Sequence, residues 1–454
     1  MSDFAYASAI DTAAALRLKD VSSAELVDAA IRRIERLDQK LNAVVVRDFE
    51  RARADAKAAD AAIAGGKTAP LLGVPLTVKE SYDLAGYPTT WGIGMLHDHR
   101  APADSELVTR LRAAGAVLLG KTNIPPALGD WQSDNPIYGR TNNPYDLTRS
   151  PGGSSGGSAA ALAAGYVPLE FGSDIGGSVR IPAAFCGVYG HKPSYGVFPL
   201  GGHVPGGAAG AGVLLAVGGP LARTAEDLTL AFKLTAGSEG DVAKAWSLNL
   251  PPPRRTTLKG MRVLIVDSHP RCATANAMKQ ALADFAETIA RQGAEVATAS
   301  ELLPDLGAQY DVYFPMLMTI VLRNSPAPGN PPSAHGWMDL LDGQASFRRQ
   351  WAALFEAFDI VVTPAFGSAA FAHNTEPYEK RLLTIDGADT VYGTQLAWPS
   401  VATLPHLPAT AFPIGFDADG LPLGAQAIGG FGEDYTTLAF AGLAGRPFVP
   451  PKLD

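Results

Sequence analysis

The sequence predicts an α/β protein, and three observations predict it. Residues 72–79, LGVPLTVK, form a short, almost continuous apolar run, the pattern of a strand covered on both faces. Residues 104–114 follow as a helix, and residues 116–120 are apolar again. The same order recurs later, where residues 261–266 read as a strand and residues 274–292 as a helix. Strands that alternate with helices in this way pack as helix layers on a sheet.

Each element has its own reason. Residues 7–64 read as helices. Ser22 and Glu25 have the spacing of a capping box, in which hydroxyl and carboxylate each take a backbone amide of the other residue. Val27, Ala30, Ile31, Ile34, Leu37 and Leu41 then recur at helical spacing, so one face of this helix meets a core. Residues 47–64 form a second, alanine-rich helix that stops at Gly65 and Gly66. The strand at 72–79 ends in Lys79, an unusual place for a lysine. Residues 201–219 are rich in glycine and alanine, carry few packing side chains and read as a loop. Pro251 to Thr257, PPPRRTT, reads as a linker. Thr274 stands where it can cap the helix behind it, whose apolar positions are Met278, Leu282, Phe285 and Ile289. The linker does not force a domain break, because a large sheet can receive the βα unit that follows. One domain over 1–454 is expected, with a helical region at 1–65, a core at 66–250 and a further α/β part at 251–454.

Composition bounds the function. The chain has 454 residues, 47% of them hydrophobic, enough for a substantial core, and a net charge of −8. That balance lacks the basic footprint of a nucleic-acid binder. Two cysteines, Cys186 and Cys272, make neither a disulfide framework nor a thiolate metal cluster. The first residues lack a charged-then-apolar secretion pattern, and no apolar run reaches the roughly 18 residues of a membrane span. The expectation is a cytoplasmic protein with a small-molecule substrate and no nucleic-acid or membrane partner, metal or cofactor.

The chemistry concentrates in two serine runs bedded in glycine. Gly152-Gly153-Ser154-Ser155-Gly156 fits the G-x-S-x-G pattern, but the residues before it are loop-like, so the strand of a nucleophile elbow is missing. A nucleotide loop would need a lysine after the glycines, and none follows. In the second run, Ser178 follows Gly176 and Gly177. The successive amides of Ile175, Gly176, Gly177 and Ser178 can face one point, as an oxyanion hole requires. A serine nucleophile needs a base. His191 and His203 are the nearest histidines, each equally able to be a structural residue. Lys79 competes: a lysine removed from water loses affinity for its proton, and a neutral amine can take one from a serine. Its bland reading is a salt-bridged strand end. The residues alone leave these bases open.

A resemblance narrows the choice. Lys79 in VPLTVKE, the run GGSSGGS and the segment GSDIGGSVRIPAAFCG occur in the order and at the spacings of the amidase signature family. LLGKTN at 118–123, GRTNNP at 139–144, GPLART at 219–224 and GLPLGAQ at 420–426 match as well. The resemblance implies a fold with a large, mixed central β-sheet flanked by helices on both faces. It implies a Ser–cis-Ser–Lys triad: Ser178 as nucleophile, Ser154, behind a cis bond, as relay, and Lys79 as base. Ser155, Asp174 and Arg180 match positions that support the triad by hydrogen bonding. The chain departs from the family pattern at residues 126–135, PALGDWQSDN. Trp131, Tyr138 and the 201–213 loop are therefore the expected pocket walls. The implied activity is hydrolysis of a small amide, anilide or carbamate through an acyl-enzyme, with a homodimer left open. The alternatives are a glutaminase subunit of a tRNA-dependent amidotransferase and a non-catalytic ligand-binding homologue.

Overall fold

The structure is a computed structural model and describes residues 4–207, 212–323 and 331–453. Its largest sheet has eight strands in the order Glu295–Ala297, Arg262–Ile265, Ile360–Pro364, Pro422–Ile428, Ala409–Phe416, Tyr189–Lys192, Val217–Ala222 and Leu169–Asp174. The first three run parallel to one another and the remaining pairs are antiparallel, so the sheet is mixed. Successive side chains of a strand point to opposite faces. Along Ala409–Phe416, Phe412 and Ile414 accordingly join one core with the helices Ala225–Thr235, Asn276–Arg291 and Asp434–Ala444. Ala411 joins a second core with the helices Ser23–Leu41 and Gly156–Ala163. Helices therefore cover both faces.

A smaller sheet lies beside the edge strand Leu169–Asp174. Its order is Val44–Arg47, Val117–Thr122 and Pro75–Lys79, the last pair parallel. The two sheets share a core, since Leu76 and Val78 pack with Leu169 and Phe171. Side chains also bridge them: Thr77 bonds Glu170, Lys79 reaches Ser173, and the Tyr82 hydroxyl donates to the Gly172 carbonyl at 2.7 Å. Lys79 and Asp174 are the last residues of their strands. Such strand ends leave the crevice in which α/β proteins place their ligands.

Ser22 and Glu25 form the expected capping box, and all six apolar positions of the helix behind them are buried. Met278, Leu282, Phe285 and Ile289 are likewise buried. Three local expectations change. Residues 44–47 are a strand rather than part of a helical region, because Val44, Val46 and Arg47 pair with Thr122, Lys121 and Gly120, with Val45 at an irregularity between them. Thr274 caps nothing: the helix begins one residue later, and Asp386 takes the Asn276 amide at 2.9 Å. The glycine-rich stretch ends sooner than expected, since Val217–Ala222 is a strand paired on both sides; residues 208–211 lie outside the described residues.

Candidate active site

Lys79 is fully buried at the end of its strand. Its Nζ lies 2.7 Å from Ser154 Oγ, 3.0 Å from Ser173 Oγ and 3.4 Å from the Ser173 carbonyl. Among the described residues no carboxylate neutralises it by direct contact. Burial pushes the ammonium down to about 7, and the negative charge of Asp174 opposes this only in part. A lysine in this state exchanges its proton at neutral pH.

Ser154 follows the one cis peptide bond of the described residues, Gly153–Ser154. The backbone here is hemmed in. A side chain on Gly153 would lie 2.4 Å from the Asp130 carbonyl, and one on Gly152 would lie 2.7 Å from Pro182 Cα. Glycine is needed at both positions for close approach, and Gly152 also has φ +85°. The helix Gly156–Ala163 starts directly behind.

The turn from the strand Leu169–Asp174 into the helix Arg180–Phe185 carries Ser178. Asp174 closes this turn. Its Oδ1 accepts from the Gly177 amide at 3.0 Å and Arg180 Nη2 at 2.8 Å. Its Oδ2 accepts from the Val179 amide at 3.1 Å and Arg180 Nε at 3.0 Å. Burial alone would raise this carboxyl, but the Arg180 charge and its hydrogen bonds outweigh that and hold it at about 2. Arg180 in turn donates to Gln426 Oε1 at 2.7 Å, to Thr403 Oγ1 at 2.9 Å and to the Pro399 carbonyl at 3.1 Å. The N–H groups of Ile175, Gly176 and Ser178 have no acceptor among the described residues.

Known proteins resemble the chain over most of its length. The sequence profile of the family described as Amidase matches residues 25–325 and 323–438. The chain belongs to the amidase signature family. Its relatives include AmiB2 of Mycobacterium tuberculosis, named as a candidate amidase, 34% identical over 477 residues with 97% of this chain and 96% of that protein covered. A glutamyl-tRNA(Gln) amidotransferase subunit of Prochlorococcus marinus is 34% identical over 479 residues, covering 94% of each. Among solved structures, a chain from a vestigial protein complex tied to the evolutionary origins of an s-triazine catabolic enzyme superposes with a TM-score of 0.84 at 29% identity, covering 96% of this chain and 97% of that one. Membership makes this chain a hydrolase of amide C–N bonds. No helix among the described residues is long and apolar enough to cross a membrane.

Against the amidase signature pattern, the structure brings Lys79, Ser154, Ser155, Ser178, Asp174 and Arg180 together and changes several details. Gly177 is not available to an oxyanion, because its N–H is spent on Asp174. Ser155 supports the turn through its amide, which donates to the Ser178 carbonyl at 3.1 Å, while its buried hydroxyl has no partner among the described residues. Trp131 is not an open pocket wall. It is buried against Phe366 and Tyr392, and its indole N–H donates to the Gly176 carbonyl at 2.9 Å. The half-buried Tyr138 donates to Glu80 at 3.1 Å, beside Lys79 in sequence. His191 is buried between Thr410 and Asp434, and its role is structural. His203 packs on Tyr82 and Trp91, reaches Ser81 at 3.0 Å, and is held at about 3 by burial and by Lys79.

Three residues escaped the sequence reading. Ser173 is a second hydroxyl on Lys79, and its only signal was its place beside Asp174. Gln426 lay inside a matching motif without a role. Tyr313, whose hydroxyl donates to the Ile175 carbonyl at 2.9 Å, comes from the helix Leu306–Val321 and left no signal.

Proposed function

We propose that the protein hydrolyses small, non-peptide amides, anilides or carbamates through an acyl-enzyme on Ser178. The observation that carries this reading is the buried Lys79 amine at 2.7 Å from Ser154 Oγ, with its proton affinity lowered to about 7. Neutral Lys79 accepts the Ser154 proton while Ser154 accepts that of Ser178. Ser178 Oγ then bonds to the substrate carbonyl carbon, and the carbonyl oxygen takes the negative charge. The free amides of Ile175, Gly176 and Ser178 stabilise that charge. The relay returns the proton to the leaving nitrogen as the C–N bond breaks, and water attacking by the same route releases the acid. For a carbamate the same attack ends in alcohol, carbon dioxide and amine. The Ser178 hydroxyl has no hydrogen-bond partner among the described residues. Its link to Ser154 forms when substrate fills the site, as catalytic hydrogen bonds of empty enzymes often do.

An apolar acyl group is favoured, because the partly buried Ile175, Leu214, Ile320, Trp337 and Leu340 pack together against one buried apolar cluster. The likeness to amidotransferase subunits supports a second reading, release of ammonia from glutamine. A panel of aliphatic amides, anilides, carbamates and glutamine separates the two. Mass spectrometry after treatment with a fluorophosphonate probe should find the label on Ser178. Absence of label and turnover would instead favour a ligand-binding homologue.

A further inference from the structure

The free amides of the oxyanion loop are aimed by residues far away in sequence. Every peptide from Asp174 to Ser178 is trans, since Gly153–Ser154 is the one cis bond of the described residues. In a trans peptide the C=O and the following N–H point in opposite directions. Whatever grips the carbonyl of one residue therefore decides where the next amide points. The Ile175 carbonyl accepts from the Tyr313 hydroxyl at 2.9 Å, which turns the Gly176 N–H to the opposite side, where it meets no protein acceptor among the described residues. The Gly176 carbonyl accepts from Trp131 Nε1 at 2.9 Å, which turns the Gly177 N–H away toward Asp174 Oδ1. The two donors thus set two consecutive peptide planes.

Both donors are rigidly mounted. Tyr313 is fully buried. Trp131 is fixed at its own backbone too: its carbonyl accepts from Ser150 Oγ at 2.8 Å, and Asp130 before it is gripped by Arg381 and by the Tyr392 hydroxyl at 2.7 Å. Ser150 lies two residues before the first serine run and Gly153 lies in it, so Trp131 meets the first run here and the second through Gly176.

We infer that Tyr313 and Trp131 are positioning residues for the oxyanion loop, Tyr313 aiming the Gly176 N–H at the reacting carbonyl and Trp131 keeping the neighbouring amide on Asp174. The inference rests on Ser178 being the nucleophile. It also ranks the two residues, because Tyr313 sets an amide that faces substrate and Trp131 sets one already held by a carboxylate.

The test is steady-state kinetics of Tyr313→Phe and Trp131→Phe, with sites counted by fluorophosphonate titration so that kcat refers to folded enzyme. Tyr313→Phe should lower kcat about ten- to hundredfold, short of the roughly 10² to 10³ that loss of a donor costs, and leave KM within about twofold. Trp131→Phe should have a smaller effect. Affinity for a trifluoromethyl ketone, whose bound form places an oxyanion in the hole, should fall in step with kcat/KM. If Tyr313→Phe does not fold, 4-fluorophenylalanine at position 313 keeps the shape and removes the donor. Wild-type kcat per titrated site in the Tyr313 variant, unchanged ketone affinity, or a larger loss in Trp131→Phe would overturn the inference alone. A wild-type protein that neither labels nor turns over any member of the panel would overturn the proposed function with it.

Discussion

Lys79 and Lys192 make an instructive pair. Both are buried, both close a strand of the fold, and burial brings both down to about 7. Their partners differ. Lys79 faces two hydroxyls, Ser154 and Ser173, which can lose and gain protons. Lys192 faces two backbone carbonyls, those of Pro193 at 3.1 Å and Leu407 at 2.7 Å, which can only accept. A displaced pKa therefore records burial in both cases and, on the proposed function, chemistry in one. Structural and catalytic groups are perturbed by the same physics, and the partner decides between them.

Substitutions can break this contrast, and the largest effect belongs to Lys79. Lys79→Met removes the base and keeps the volume, so turnover should drop by about 10² to 10⁴ while thermal stability holds. A variant with near-normal kcat would equate the two lysines. Next comes Arg180→Met, which strands the Asp174 carboxylate in the interior. Breaking a buried ion pair from one side costs about 3–5 kcal/mol, read as a lower denaturation midpoint. Lys192→Met leaves two carbonyls without a donor and should cost about 1–3 kcal/mol of stability, with kcat per titrated site unchanged. A large kcat defect there would show that Lys192 belongs with the catalytic groups. The subtlest test is pH. Only neutral Lys79 can accept a proton, so kcat/KM should climb with pH through about 7 and level off above it. In a variant that retains only Lys192, no such limb should remain; a rise confined to the region near 10 would contradict the buried amine.

Much of this was legible in the chain because local spacing carried it. The helix Ser23–Leu41 announces itself through its capping box and apolar face, and Lys79 stands out as a lysine at the end of an apolar strand. The serines were visible through their glycines. The amide row from Ile175 to Ser178 was visible too, but not its allocation: that Asp174 takes the Gly177 N–H depends on how the turn closes. Val44–Arg47 escaped because four residues between two helices show no period, although three consecutive valines favour a strand. Tyr313, and the contact that turns Trp131 from a pocket wall into a partner of Gly176, could not have been read, since contacts spanning such sequence distances leave no repeat behind.

The proposed base and the proposed nucleophile sit on opposite sides of a seam. Lys79 belongs to the three-stranded sheet and Ser178 leaves the eight-stranded one, and among the described residues no strand ladder joins the two sheets. Side chains such as Tyr82 on Gly172 stitch that boundary together. A slip of one sheet along the other, too small to open the core they share, would part Lys79 from Ser173 and from the turn that carries Ser178. The proposed catalysis would thus be a strain gauge for the join, and gentle chaotropes should silence turnover before the shared core melts.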